Sequence, residues 1–148
     1  MGKVLYSAEA HVTGGRADGH GVTSDGALDV LLRAPTDMGG NGGGTNPEQL
    51  FAVGYAACFE SALGGAARRA KQEIGDLAID ATVSLVVAGE GTYKLAVTLD
   101  VHLPSISSPE TAAELVRAAH KICPYSNATR GNIDVELIAN GQIVEAAA

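Results

Sequence analysis

The sequence has no excess of positive charge: 10 Lys and Arg stand against 17 Asp and Glu, a net charge of −7. Nucleic acid and anionic membrane surfaces both require a positive field, so neither is expected as a partner. Cysteine is scarce as well. Two residues in 148 are too few for the disulfide framework of a secreted domain. The opening MGKVLYSAEA lacks the apolar run of a signal peptide, since its apolar residues alternate with polar ones, and a cytoplasmic location is the expectation. There is no CxxC or HExxH, and the glycine loop Gly39 to Gly44 is followed by neither the Lys-Ser/Thr of a P-loop nor a GxGxxG pattern. No bound metal or cofactor is therefore expected. What remains is a globular mixture, 46% apolar and 18% charged, long enough for one domain spanning 1–148 with a proper core.

Val4, Tyr6, Ala8, Ala10 and Val12 alternate with polar residues and predict a half-buried strand. Gly14-Gly15 ends it, and Arg16 follows in a turn. Return strands are expected over Gly21 to Ser24 and Ala27 to Arg33, then a glycine-rich loop to Gly44. Asn46 caps a long helix, with Pro47 at its first position and Gln49 placed to close a capping box. From Leu50 to Ala67 that helix carries one charge, Glu60, and is expected to be packed on several sides. Its Ala, Gly and Ser content makes a membrane span a poor rival. Two strands, Ile79 to Ala88 and Tyr93 to Leu103, flank an expected hairpin turn at Gly89 to Thr92. A second helix starts at Ser108-Pro109 and is broken by Cys123-Pro124. A short helix then runs toward Gly131, a last strand spans Ile133 to Ala139, and Asn140-Gly141 leads into a tail. The order predicts an α+β fold with largely antiparallel sheet.

Cys58 and Cys123 lie 65 positions apart on different helices. Free cysteines are usually small buried hydrophobes, but a cytosolic pair that does bond is more often catalytic or sensing than structural. Cys123 stands at the start of the short helix, where free N–H groups favour a thiolate. For Cys58 the strongest available cation is Arg16, and Glu48 is the candidate carboxylate to hold its fork. Lowering a thiol pKa from ~8.5 to ~6 raises the ionised fraction about thirtyfold, while intrinsic nucleophilicity falls roughly tenfold. Ionisation alone gains only a few-fold, so a fast thiol peroxidase also needs a positive group at the departing alkoxide. His120, three residues before Cys123, has metal-ligand spacing, with His11, His20 and His102 elsewhere. Without further ligands in pattern, a metal site is not favoured.

GGR (Gly14 to Arg16), GTNPEQLFAVGYAACF (Gly44 to Phe59) and CPYSNATRGNIDV (Cys123 to Val135) closely resemble the organic hydroperoxide resistance proteins. These are the peroxidase branch of the family that includes the osmotically induced OsmC-type proteins. The resemblance implies an intertwined homodimer, central helices wrapped by sheets, acting as a thiol peroxidase on organic hydroperoxides, fatty-acid hydroperoxides included. Carried over residue by residue, Cys58 matches the peroxidatic cysteine, Cys123 the resolving one, Arg16 the activating arginine and Glu48 its orienting glutamate. The implied cycle passes through a Cys58 sulfenic acid and a Cys58–Cys123 disulfide, which dihydrolipoamide or a lipoylated protein reduces.

Glu48 and Cys58 are ten residues apart, about 15 Å along a helix. Two copies of that helix crossing antiparallel near Val53 and Gly54 would bring position 48 of one to position 58 of the other. Each site is therefore expected to take its cysteines from one chain and the arginine–glutamate pair from a partner. Leu28, Met38, Phe51, Phe59 and Ile122 are candidates to line an apolar approach for substrate, with Tyr125 a lid or a packed ring. The alternative from another class is a redox sensor or small-ligand binder on the same fold.

Overall fold

The structure, a computed structural model, describes residues 2–145. The chain divides between Leu50 and Phe51 into two compact units. In the first, β1 (Ala10–Thr13), β2 (Asp18–Thr23) and β3 (Asp29–Arg33) form an antiparallel meander in the order β1-β2-β3. The turn between β2 and β3 is an Asx turn: Asp25 Oδ1 accepts from the Ala27 N–H at 2.9 Å and from the Thr23 hydroxyl at 2.8 Å. Only the end of the first predicted strand pairs. β2 offers partners to Ala10 through Thr13, and the alternating residues before them stay outside the sheet, with Val4 73% and Tyr6 79% exposed. β2 in turn starts three residues earlier than expected, because Asp18, Gly19 and His20 pair with Arg33, Leu32 and Leu31.

α1 (Pro47–Arg69) starts where the sequence places it. Asn46 Oδ1 accepts the Gln49 N–H at 2.9 Å, but the other half of the capping box is not made. The Gln49 side chain accepts from the Thr45 hydroxyl instead, at 2.7 Å. By length and composition α1 would suffice to cross a membrane. One face, with Tyr55, Phe59, Leu63 and Ala66, joins the core cluster. The expectation of packing on several sides is not met within this chain, because Val53, Ala57, Glu60, Ser61 and Arg68 form an exposed stripe. Their three- and four-residue spacings are those of a single helix face.

The second unit holds β4 (Ala78–Gly89), β5 (Thr92–His102), α2 (Pro109–Ile122), α3 (Pro124–Thr129), β6 (Asp134–Ala139) and β7 (Gln142–Val144). Its sheet runs β4-β5-β6-β7. β5 and β6 are parallel, so α2 and α3 form the crossover that parallel neighbours require. Val97, Leu99 and Val101 of β5 and Leu137 of β6 face Leu115, Val116 and Ala119 of α2 in one cluster with the buried face of α1. The predicted tail is in part β7. Asn140 (φ 48) and Gly141 (φ 85) make the left-handed two-residue turn that closes the β6–β7 hairpin, and residues 146–148 lie outside the described residues. The result is an α+β fold with two sheets, antiparallel except at β5–β6.

Candidate active site

The two cysteines meet in the second unit. Cys58, on α1 and partly buried, has its sulfur 3.6 Å from that of Cys123, which is fully buried at the break between α2 and α3. The break is a consequence of Pro124, which has no N–H to continue the α2 ladder but fits the first position of α3. Both residues are thiols here. Burial pushes the Cys58 thiol up, the Tyr125 N–H pulls it down, and the neighbouring Cys123 raises it again, with a net upward displacement. The first turn of α3 thus serves Cys58 through the Tyr125 N–H, whereas the sequence reading gave that turn to Cys123.

The charged pair lies in the first unit. Arg16 sits on a turn that only glycine permits. A Cβ on Gly14 (φ +77) would stand 2.1 Å from the Asp18 carbonyl oxygen, and one on Gly19 would stand 2.1 Å from that of Gly15. From this turn Arg16 Nη1 lies 3.1 Å from both carboxylate oxygens of Glu48, in the first turn of α1. Glu48 is the more buried partner, and its position at a helix N-terminus favours its negative charge. The pairing expected between residues 32 positions apart is therefore present.

The substrate candidates separate. Phe51 and Tyr125 line a cavity of about 650 Å³ with Tyr93, Leu95, Pro124 and Ile133, an apolar wall with Lys94 beside it. Phe51, Tyr55 and Tyr125 are mutual edge or tilted neighbours, with ring centroids 5.7–6.0 Å apart. Phe59 is fully buried in the core, while Leu28, Met38 and Ile122 are exposed. The antiparallel helix crossing is expected near Val53 and Gly54, but the space beside Gly54 is occupied by this chain's own Tyr125, whose hydroxyl would lie 2.8 Å from an added Cβ.

His20 and His102 each pair with carboxylates. His20 Nε2 binds Asp29 at 2.5 Å, and His102 Nε2 lies 2.9 Å from Asp80 and 3.8 Å from Asp100. The last three, paired across β4 and β5, are the one metal-spaced group among the described residues; Asp80 is exposed, whereas Asp100 is half-buried and its Oδ1 has no hydrogen-bond partner. His120 binds Ser126 through Nδ1 at 2.9 Å. Sequence reading weighed His120 only as a metal ligand and passed over Tyr55, Ser126 and Thr129, which share its buried hydrogen-bond network. Of these three, only Tyr55 stands as a hydroxyl within an apolar helical stretch; Ser126 and Thr129 lie in the polar run PYSNAT and carry no such signal.

Residues 39–138 match the family described as OsmC-like protein. The organic hydroperoxide resistance protein of Xanthomonas axonopodis pv. citri (strain 306) is 50% identical over 91% of this chain and 94% of its own length. The organic hydroperoxide resistance protein OhrB of Bacillus subtilis (strain 168) is 48% identical over 90% and 96%. The crystal structure of an organic hydroperoxide resistance protein OsmC from Legionella pneumophila, also described as a predicted redox protein, superposes with a TM-score of 0.86. It is 48% identical and covers 92% of this chain and 98% of its own. With this likeness running nearly end to end through both cysteine blocks, the chain belongs to the OsmC-like family, in its organic hydroperoxide resistance branch.

Proposed function

We propose that this protein is a cysteine peroxidase that reduces organic hydroperoxides to alcohols in the response to organic peroxide stress. The observation that carries the reading is the 3.6 Å approach of two thiols from different helices, beside an apolar cavity. Cys58 thiolate attacks the terminal peroxide oxygen. The O–O bond breaks, the alkoxide takes a proton and leaves as alcohol, and Cys58 is left as sulfenic acid. Cys123 sulfur then displaces that hydroxyl as water, and the disulfide forms after a short approach from 3.6 Å to about 2 Å. A dithiol, dihydrolipoamide or a lipoylated protein, takes the place of Cys123 on the disulfide and returns both thiols, becoming the oxidised disulfide itself. Alkyl and lipid hydroperoxides suit the wall of Phe51 and Tyr125.

The surroundings that the second unit gives Cys58 leave its thiol above the ordinary value, so an added cation is needed for speed. The Arg16–Glu48 pair is preassembled for that task. It acts on the Cys58 of a partner chain in a homodimer, and the exposed Val53–Ala57–Ser61 stripe of α1 is the contact face. The protein works in the cytoplasm, where thiols are kept reduced.

The raised Cys58 also favours a second reading, a slow redox sensor or small-ligand binder on the same fold. Turnover separates the two. With dihydrolipoamide as reductant, steady-state assays should show many cycles with an alkyl hydroperoxide, far fewer with hydrogen peroxide, and none for Cys58→Ser. A single stoichiometric oxidation without turnover identifies the sensor.

A further inference from the structure

Tyr55, His120, Ser126 and Thr129 are each at most 5% exposed. The Tyr55 hydroxyl lies 2.9 Å from Ser126 Oγ and 3.1 Å from Thr129 Oγ1, and His120 Nδ1 lies 2.9 Å from Ser126 Oγ. Thr129 Oγ1 donates to the Ser126 carbonyl oxygen at 3.3 Å. A carbonyl only accepts, and each hydroxyl has one proton. Thr129 therefore accepts from Tyr55, Tyr55 accepts from Ser126, and Ser126 accepts from His120 Nδ1–H. The direction of the whole chain follows from its last link. It requires a proton on His120 Nδ1, which both the Nδ1–H tautomer and the charged ring carry; burial and the Arg130 charge hold this ring below the ordinary histidine value and favour the neutral tautomer.

The network is centred on the dithiol. Tyr55 precedes Cys58 by three residues on α1, His120 precedes Cys123 by three on α2, and Ser126 follows Cys123 by three on α3. Three residues are about one helical turn. A single hydroxyl thus ties together the three elements around the two sulfurs, one turn from each of the positions it joins. The Arg130 guanidinium adds a bond to the His120 carbonyl, fastening the end of α3 to α2.

We propose that Ser126, oriented by His120 and Tyr55, is a positioning residue for disulfide closure. It holds the Cys123-Pro124 break against α1, so that Cys123 meets Cys58 as soon as Cys58 is oxidised. The inference rests on the peroxidase reading for its benefit, which is speed. In closure the Cys123 sulfur forms the S–S bond, the S–O bond of the sulfenic acid breaks, and hydroxide leaves with the Cys123 proton as water. The competing fate is attack by a second hydroperoxide to give sulfinic acid. Closure is first order and overoxidation rises with peroxide, so a loosened break is read directly as sensitivity to overoxidation.

The test compares wild type with Ser126→Ala, Tyr55→Phe and Ser126→Thr. In Ser126→Ala the hydroperoxide concentration that converts half of Cys58 to sulfinic acid should fall about tenfold, as expected when reacting groups lose their alignment. The equilibrium constant for the Cys58–Cys123 disulfide against oxidised dithiothreitol should fall by about the same factor. Tyr55→Phe should shift both in the same direction by less, and Ser126→Thr, which restores the hydroxyl, should recover them. A folded Ser126→Ala with wild-type values overturns the proposal. Should that variant not fold, wild type still decides: nitrogen-15 shifts of His120 should report a protonated Nδ1, and a protonated Nε2 with bare Nδ1 overturns the ordered chain. The dithiothreitol equilibrium involves no hydroperoxide. A wild type without turnover but with the tenfold difference intact would therefore sink the peroxidase reading alone.

Discussion

Cys58 sits in surroundings that work against the ionisation its proposed role requires. Burial and the neighbouring Cys123 raise its pKa, and one N–H, from Tyr125, opposes them. If Arg16 supplies the missing charge, thiolate absorbance followed against pH should show wild-type Cys58 ionising below the ordinary thiol value. Arg16→Ala should move it above that value, and identical titrations would remove Arg16 from the site. His120 gives a stability prediction of opposite sense. Its folded pKa is lowered by burial and by Arg130, so between the folded and unfolded values the unfolded chain binds a proton that the folded chain does not. The contribution is present above about pH 6.5 and is lost as pH falls through the folded value. Thermal midpoints should drop on acidification in that window, and His120→Gln should flatten the slope. An unchanged slope would mean that other groups govern the acid sensitivity.

At the level of elements, Asn140 shows how a turn residue fastens a sheet. Its Oδ1 accepts the Leu103 N–H at 2.7 Å, and its Nδ2 donates to the carbonyls of Leu103 at 3.0 Å and Ile106 at 3.2 Å. It also holds the left-handed φ of 48 that the β6–β7 turn needs. Asn140→Ala loses all three bonds and strains the turn, and should cost about 2–4 kcal/mol in denaturant unfolding. Asn140→Gly, which restores the backbone freedom, should recover about 1 kcal/mol of that. Elements ruled by local chemistry were legible in the sequence: the Asn46 and Ser108 caps, the Gly89–Thr92 hairpin and the Pro124 break all stand. Elements that depend on a distant partner were not. Val4, Tyr6 and Ala8 alternate as a strand does, yet nothing in β2 pairs with them. β7 was missed because three residues carry little period, although Asn140-Gly141 announced the turn.

For the molecule as a whole, the candidate residues were legible because two long blocks around the cysteines resemble a known family. The contacts among them follow from the fold: the sulfur approach and the Arg16–Glu48 pair each join residues far apart in sequence. The Tyr55–Ser126–His120 network was illegible for the same reason, since it needs three helices brought together. A shared site has a sharp consequence at this scale. Co-refolding equal amounts of Arg16→Ala and Cys58→Ser chains should restore about a quarter of wild-type turnover, because half of randomly paired twofold dimers are mixed and each has one complete site. No restoration would place both residues in one chain's site.

The most direct measurement is intact mass after one equivalent of an alkyl hydroperoxide, for wild type, Cys123→Ser and Cys58→Ser. Wild type should lose two hydrogen atoms, Cys123→Ser should gain one oxygen, and Cys58→Ser should remain unchanged while the hydroperoxide persists. Consumption of hydroperoxide by Cys58→Ser at the wild-type rate, or a wild type that retains both thiols, would contradict the chemistry assigned to these two sulfurs.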